Sequence, residues 1–204
     1  MDELGRDQFP KVKYGLKNVH AAILTETVVD GVTNYGYGTP KPVPGAVSIS
    51  LEAQGETSPF YADDIVYFRT NANNGYSGDL EIALIPEWFR TDILQENDDA
   101  NGVLVEKSEI GESVKFALLF EFTGDANGIR HVLYNCSASR PGIEGKTNEE
   151  SREVQTETLT IKATPLASGV VKAKTGNETD STVYADWYKA VYMPTITGVN
   201  TDAE

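Results

Sequence analysis

The chain is 204 residues long, with 40% hydrophobic and 24% charged residues, the balance of a globular domain large enough to hold a core without disulfides. Seventeen lysines and arginines stand against 31 aspartates and glutamates, a net charge of −14. That argues against a protein that grips nucleic acid or docks on an anionic membrane, since both need clustered cations.

Valine, threonine and isoleucine total 48 residues against 13 leucines, a bias toward extended chain. Eighteen glycines and nine prolines break the chain at short intervals, the punctuation of a sandwich or barrel. Residues 1–17 mix charge and glycine with few core residues and read as a flexible arm. Residues 18–193 read as one domain and 194–204 as a tail. A first strand is expected over 19–27. Residues 30–44 hold Gly31, Gly36, Gly38, Pro40, Pro42 and Pro44 and read as a turn-rich connection. Residues 46–52 alternate, with Val47, Ile49 and Leu51 on one side and Ser48, Ser50 and Glu52 on the other. A short strand over 65–69 runs toward Asn73-Asn74-Gly75, a hairpin turn that tolerates positive φ. Residues 79–85 alternate again, Leu80, Ile82 and Leu84 opposing Glu81 and Ala83.

Pro86 then opens a helix, because its missing N–H costs nothing in a first turn, and Glu87 complements the positive helix end. Ile85, Phe89 and Ile93 form one apolar stripe, and Asn97-Asp98-Asp99 ends the helix. Residues 114–122 make the strongest strand, with Val114, Phe116, Leu118, Phe120 and Phe122 on one face. A turn over 124–128 returns the chain into a strand over 129–139, completing a long hairpin. The polar loop 139–152 is longer than an ordinary hairpin turn. Residues 153–164 read as a long strand whose first half is polar on both faces, so it projects into water or pairs with another chain. Residues 180–191 read as a second helix, with Ser181 as cap and Val183, Trp187 and Val191 as its stripe. The cluster Tyr184, Trp187, Tyr188 and Tyr192 reads as core or interface.

The chemistry-bearing residues form no catalytic constellation. Asp99, Asn101 and Gly102 match the front of a calcium loop, but the closing position is Ser108, with Glu109 one residue late. His20 and His131 have no Cys or His at ligand spacing, which argues against zinc. The single cysteine, Cys136, excludes an internal disulfide and reads as a small core residue. Strand parity places it on the face opposite His131. No Gly-x-Ser-x-Gly elbow is present, and no cofactor is implied. There is no apolar signal segment and no bilayer-length apolar run, so a protein made in a cytoplasm and, at least at first, soluble there is expected.

Several stretches, in order, carry a resemblance. They begin with Tyr14-Gly15-Leu16-Lys17-Asn18-Val19-His20 and Gly38-Thr39-Pro40-Lys41-Pro42-Val43-Pro44-Gly45-Ala46-Val47. They continue through Phe60-Tyr61-Ala62-Asp63-Asp64, Asn74-Gly75-Tyr76-Ser77-Gly78-Asp79-Leu80-Glu81 and Ile85-Pro86-Glu87-Trp88-Phe89-Arg90. Then come Ala117-Leu118-Leu119-Phe120-Glu121-Phe122, Arg130-His131-Val132-Leu133-Tyr134-Asn135-Cys136, Glu153-Val154-Gln155-Thr156-Glu157-Thr158-Leu159 and residues 183–192. Together they resemble the major tail proteins, or tail tube proteins, of long non-contractile-tailed phages. Residues 1–10 look less typical of that family. The resemblance implies a mainly β chain, a β-sandwich or barrel with a flanking α-helix, whose strands join a multi-subunit β-barrel. It implies a virion protein that forms homo-hexameric rings stacked into a tube. The tape measure protein, the tail terminator and the distal tail protein would be partners at the ends. DNA would pass through the lumen without specific binding. The tube of a contractile injection or secretion machine is the nearest alternative. A carbohydrate-binding β-sandwich or a hydrolase with paired carboxylates are the rivals from other classes.

On that implication, carboxylates facing the lumen would repel phosphates and keep DNA moving. The lumen candidates are Glu52, Glu81, Glu121 and Glu157, each on the polar face of an expected strand. The arm 1–17, the connection 30–44, the segment 53–63 and the loop 139–152 are the candidates for ring-to-ring contacts.

Overall fold

A computed structural model describes residues 14–29, 31–108, 113–124, 128–147 and 154–195. The expected arm up to residue 13, the tail beyond 195, Glu109, the tip of the 124–128 turn and the end of the 139–152 loop lie outside the described residues.

The chain is mainly β. Its strands are β1 (Leu16–Val29), β2 (Val32–Tyr37), β3 (Lys41–Pro42), β4 (Ala46–Gln54), β5 (Thr57–Ala62), β6 (Ile65–Asn71), β7 (Gly75–Ile82), β8 (Asn97–Asp98), β9 (Leu104–Val105), β10 (Phe116–Phe122), β11 (Arg130–Ala138), β12 (Glu157–Thr164) and β13 (Lys172–Lys174). Helices α1 (Glu87–Asp92) and α2 (Ser181–Asp186) are each six residues long. Nine strands form one antiparallel sheet in the order β2-β1-β10-β11-β12-β7-β4, with β3 on β1 and β13 on β11. The sheet curls so that β1 and the start of β4 approach each other, bridged where the Val43 N–H donates to the Val19 carbonyl at 2.8 Å.

The curl encloses one core. Leu80, Ile82, Phe116, Leu118, Leu133, Leu159 and Ile161 line it from the sheet, and Ile85, Phe89, Ile93 and Leu94 close it from the α1 segment. The expected stripe is therefore the buried face of α1, and Phe89 meets Phe116 edge-on at 5.6 Å between ring centres. A second core lies on the other face, over β1, β10 and β11 alone. There Ala22, Leu24, Ala117, Leu119, Val132 and Tyr134 meet Leu166 and Trp187. Strand β10 is apolar on both faces because it is covered on both.

Several expectations change. Residues 30–44 are not an open connection: β2 continues the hairpin from β1, with Gly31 at φ 79° beside the turn, and β3 pairs with β1. Edge positions tolerate the glycines and prolines that suggested a loop. Residues 16 and 17 belong to β1 rather than to an arm, paired with Phe122 and Glu121. Asn73-Asn74-Gly75 is not the hairpin turn. That turn is Asp63-Asp64, at φ 52° and 61°, the mirror-image conformation that suits a two-residue hairpin. Strand β12 begins only at Glu157, and 154–156 lie outside any strand. The cap of α2 is Asp180, not Ser181: its carboxylate accepts the Thr182 and Val183 N–H groups at 2.8 and 3.3 Å.

Within the nine-stranded sheet three β-bulges redirect side chains, and the β5–β6 pair carries a further register shift beside Tyr67. An extra residue in β11 between Leu133 and Cys136 puts both on the first core, and His131 stacks on Phe120 of that core at 5.2 Å. The parity that separated His131 from Cys136 is lost there. In β4, Val47 is the extra residue and is half exposed, while Ile49 and Leu51 still pack inward. In β1 the irregularity holds Asn18 at φ 53°.

Candidate assembly surface

The face that carries the second core on β1, β10 and β11 continues onto β12, β7 and β4 with a different composition. The antiparallel register aligns three cross-strand rows. Ser48, Glu81 and Thr158 form one, Ser50, Asp79 and Thr160 the next, and Glu52, Ser77 and Lys162 the third. The opposite-parity residues Leu80, Ile82, Leu159 and Ile161 are fully buried, so alternation forces these polar groups outward. No helix or second sheet covers them among the described residues.

The polar groups hold one another in place. Glu81 accepts the Ser48 hydroxyl at 2.9 Å and the Thr156 hydroxyl at 2.7 Å. Those bonds, Thr156 first, favour the carboxylate and hold Glu81 below its ordinary range. Asp79 accepts the Thr160 hydroxyl at 2.9 Å. Three carboxylates, Glu52, Asp79 and Glu81, thus face solvent beside one ammonium, that of Lys162. Close packing keeps this part of the sheet tight: a Cβ on Gly78 would fall 1.9 Å from the Ser50 carbonyl oxygen of β4.

Of the four candidate lumen residues, the structure brings Glu52 and Glu81 together on this face. Glu121 is a correction: at 4% exposure it is buried, not on a solvated strand face. Lys17 contacts it at 3.1 Å, Arg130 at 3.2 Å, and the Asn18 side-chain amide donates to it at 2.7 Å. The Asn18 bulge makes that donation possible, and no strand-alternation rule foresees it. Glu157 is a correction of a second kind. It sits at the start of β12, paired with Arg90 and accepting the Ile85 N–H at 2.7 Å, so it anchors α1 to the sheet. Asp79 was missed although it alternates with Glu81 in the same strand; the signal was legible.

The remaining candidates are structural. Both carboxylate oxygens of Asp99 are engaged, one by the Asn101 and Val103 N–H groups at 2.8 Å each, the other by the Asn101 side chain. These bonds hold its carboxyl below the usual range and close the turn. Burial pushes the Cys136 thiol up to about 12, leaving no thiolate for nucleophilic work at neutral pH. Trp187 is buried, and its indole N–H donates to the His131 carbonyl at 3.4 Å. Arg130 lies 3.8 Å from the Tyr184 ring centre; of the aromatic cluster Trp187 is buried in the second core, Tyr184 and Tyr188 are half-buried and Tyr192 is exposed.

No helix among the described residues is long and apolar enough to cross a membrane. No protein-family model matches the chain, and no curated protein matches it significantly.

Proposed function

We propose that this protein is a structural subunit of the phage tail tube type, which closes with copies of itself into hexameric rings that stack into a conduit for DNA. The observation that carries the reading is the bare face of β12, β7 and β4. It is three strands wide, rich in hydroxyls, and among the described residues its three cross-strand rows hold Glu52, Asp79 and Glu81 against one cation, Lys162. A sheet face left uncovered beside a terminal strand, β4, is what a ring of copies would complete. Turned inward, the carboxylates give the pore wall a charge that repels phosphates, and the hydroxyls give it a wetted surface without anion sites. Glu121 and Glu157 have no part in this wall, since both are engaged inside the subunit.

The test is negative-stain microscopy of concentrated protein, alone and with its tail-initiation partners. Hollow rings or tubes are expected, and a strictly monomeric protein under both conditions overturns the reading. Replacing Glu52, Asp79 and Glu81 together by lysine should leave tubes intact and slow DNA ejection from assembled particles. Ejection at the native rate removes the face from the lumen.

A further inference from the structure

The two ends of the described chain meet at one buried ion pair. Glu121 of β10 receives the start of β1 on one carboxylate oxygen and β11 on the other. Its Oε1 accepts the Asn18 side-chain amide at 2.7 Å and lies 3.1 Å from the Lys17 ammonium, while its Oε2 accepts the Arg130 Nε–H at 3.2 Å. Arg130 carries the connection onward to the C-terminal cover, residues 181–192. Its Nη1 donates to the Tyr184 carbonyl of α2, and its guanidinium lies 3.8 Å from the Tyr184 ring centre and 5.0 Å from that of Tyr188. Tyr188 packs on the His20 ring at 4.7 Å, which returns the path to β1.

Neither end is held well by its own local structure. Asn18 stands at φ 53°, where the β1–β10 register slips, a conformation that surrounding contacts must maintain. Helix α2 has six residues and buries none of them, and a helix so short is not stable alone. It is fastened from outside itself: by Arg130, by the Tyr184 hydroxyl on the Gly128 carbonyl at 3.0 Å, and by buried Trp187 just past its last turn. The two ends also shield the same charges. Tyr184 and Tyr188 keep water from the ion pair on one side, and Lys17 and Asn18 complete it on the other. Lifting α2 lets water compete for Glu121, which loosens the start of β1. Lifting the start of β1 wets the pair from the other side, which loosens the hold of Arg130 on Tyr184.

We propose that the Glu121–Arg130 pair is a clasp that makes the start of β1 and the C-terminal cover open and close as one unit. Arginine suits the task because its planar fork fixes the angle between the bond to Glu121 and the bond to Tyr184, so that displacing one strains the other. A ligand or partner that seizes either end is thereby felt at the other, with equal coupling in both directions. The clasp lies within a single subunit and does not depend on the assembly reading above.

The experiment is hydrogen–deuterium exchange read by mass spectrometry on dilute full-length protein, over peptides 14–20, 181–190 and, as a control inside the sheet, 77–82. Asp180→Ala weakens α2 through its cap, and Lys17→Met weakens the start of β1. Both positions are exposed, so both variants are expected to fold. Each should speed exchange at both ends by about fivefold and leave 77–82 unchanged. In an Arg130→Lys background, which keeps a cation beside Glu121 but loses the fork, each should speed only its own end. Acceleration confined to the substituted end, or none at all, shows that the ends open independently and overturns the clasp. Equal acceleration of 77–82 reports global unfolding and overturns it as well. A cross effect that survives Arg130→Lys assigns the coupling to the Tyr188–His20 contact, and the ion pair is then not the clasp. Should Arg130→Lys fail to fold, Glu121→Gln, which keeps the shape and removes the charge, serves in its place with the same expectation.

Discussion

One face of one sheet behaves in two ways. Over β1, β10 and β11 it is apolar and covered by the segment around Leu166 and the α2 region. Over β12, β7 and β4 it is polar and bare. The strands themselves account for the difference. Strand β10 is buried at six successive positions, whereas β12 alternates strictly between buried and exposed. A continuous apolar run requires two covers and an alternating one requires a single cover. Covering elements therefore gather where the sequence is apolar on both sides, and the remaining half of the face is left for water or another copy.

The comparison is broken most forcefully by deleting a side chain from each half. Phe116→Ala, in the doubly covered half, should cost about 3–5 kcal/mol in chemical denaturation, because its fully buried ring leaves a cavity against Phe89. Thr160→Ala on the bare half should stay within about 0.5 kcal/mol, since its hydroxyl bond to Asp79 is exposed. Equal costs would show that the bare half carries as much folding energy as the covered one.

A smaller effect sharpens the electrostatic side. Arg130→Met should destabilise by about 3 kcal/mol, because Glu121 stays buried without its guanidinium partner and with Lys17 as its remaining ion-pair partner. Adding Glu121→Gln should recover part of that loss. No recovery would mean that Arg130 acts through its packing on Tyr184 rather than through the charge.

The smallest effect concerns pH. Glu81, Asp99 and Asp180 all have carboxyls held below their ordinary range by hydrogen bonds from Thr156, Val103 and Thr182 respectively, the largest cause in each case. A carboxyl with a lowered folded value stabilises the fold above its unfolded value, about 4, and loses that contribution as pH falls through the folded value. Melting temperature should therefore hold from neutrality down to about pH 5 and decline below about pH 4. The decline should be shallower in Glu81→Gln. A melting temperature that rises on acidification contradicts the assigned hydrogen bonds.

Much of this arrangement is legible in the residues. The alternation of Leu80 with Glu81, the stripe of Ile85, Phe89 and Ile93, and the apolar run of β10 each predict the burial observed. The bulges escape any periodic reading. A single extra residue at Val47, in β11 or beside Asn18 reverses which way the following side chains point. Glu121 shares the face of Ala117 and Leu119, as alternation places it, but the second core and Tyr188 cover that face, which is why a position that suggested an open surface is buried. Leu84 missed burial for a simpler reason: β7 ends at Ile82, two residues earlier than the alternation implied.

Local chemistry thus fixed a β-rich chain, a helix at Glu87 and a sheet with one polar face, since periodicity and capping act over a few neighbouring residues. Long-range pairing settled which strands sit side by side, that 30–44 adds two strands, and that Asp63-Asp64 turns a hairpin reaching past the sheet. Those outcomes depend on contacts between residues far apart in the chain, where hydrogen bonding and burial outweigh the preference of any single glycine, proline or asparagine.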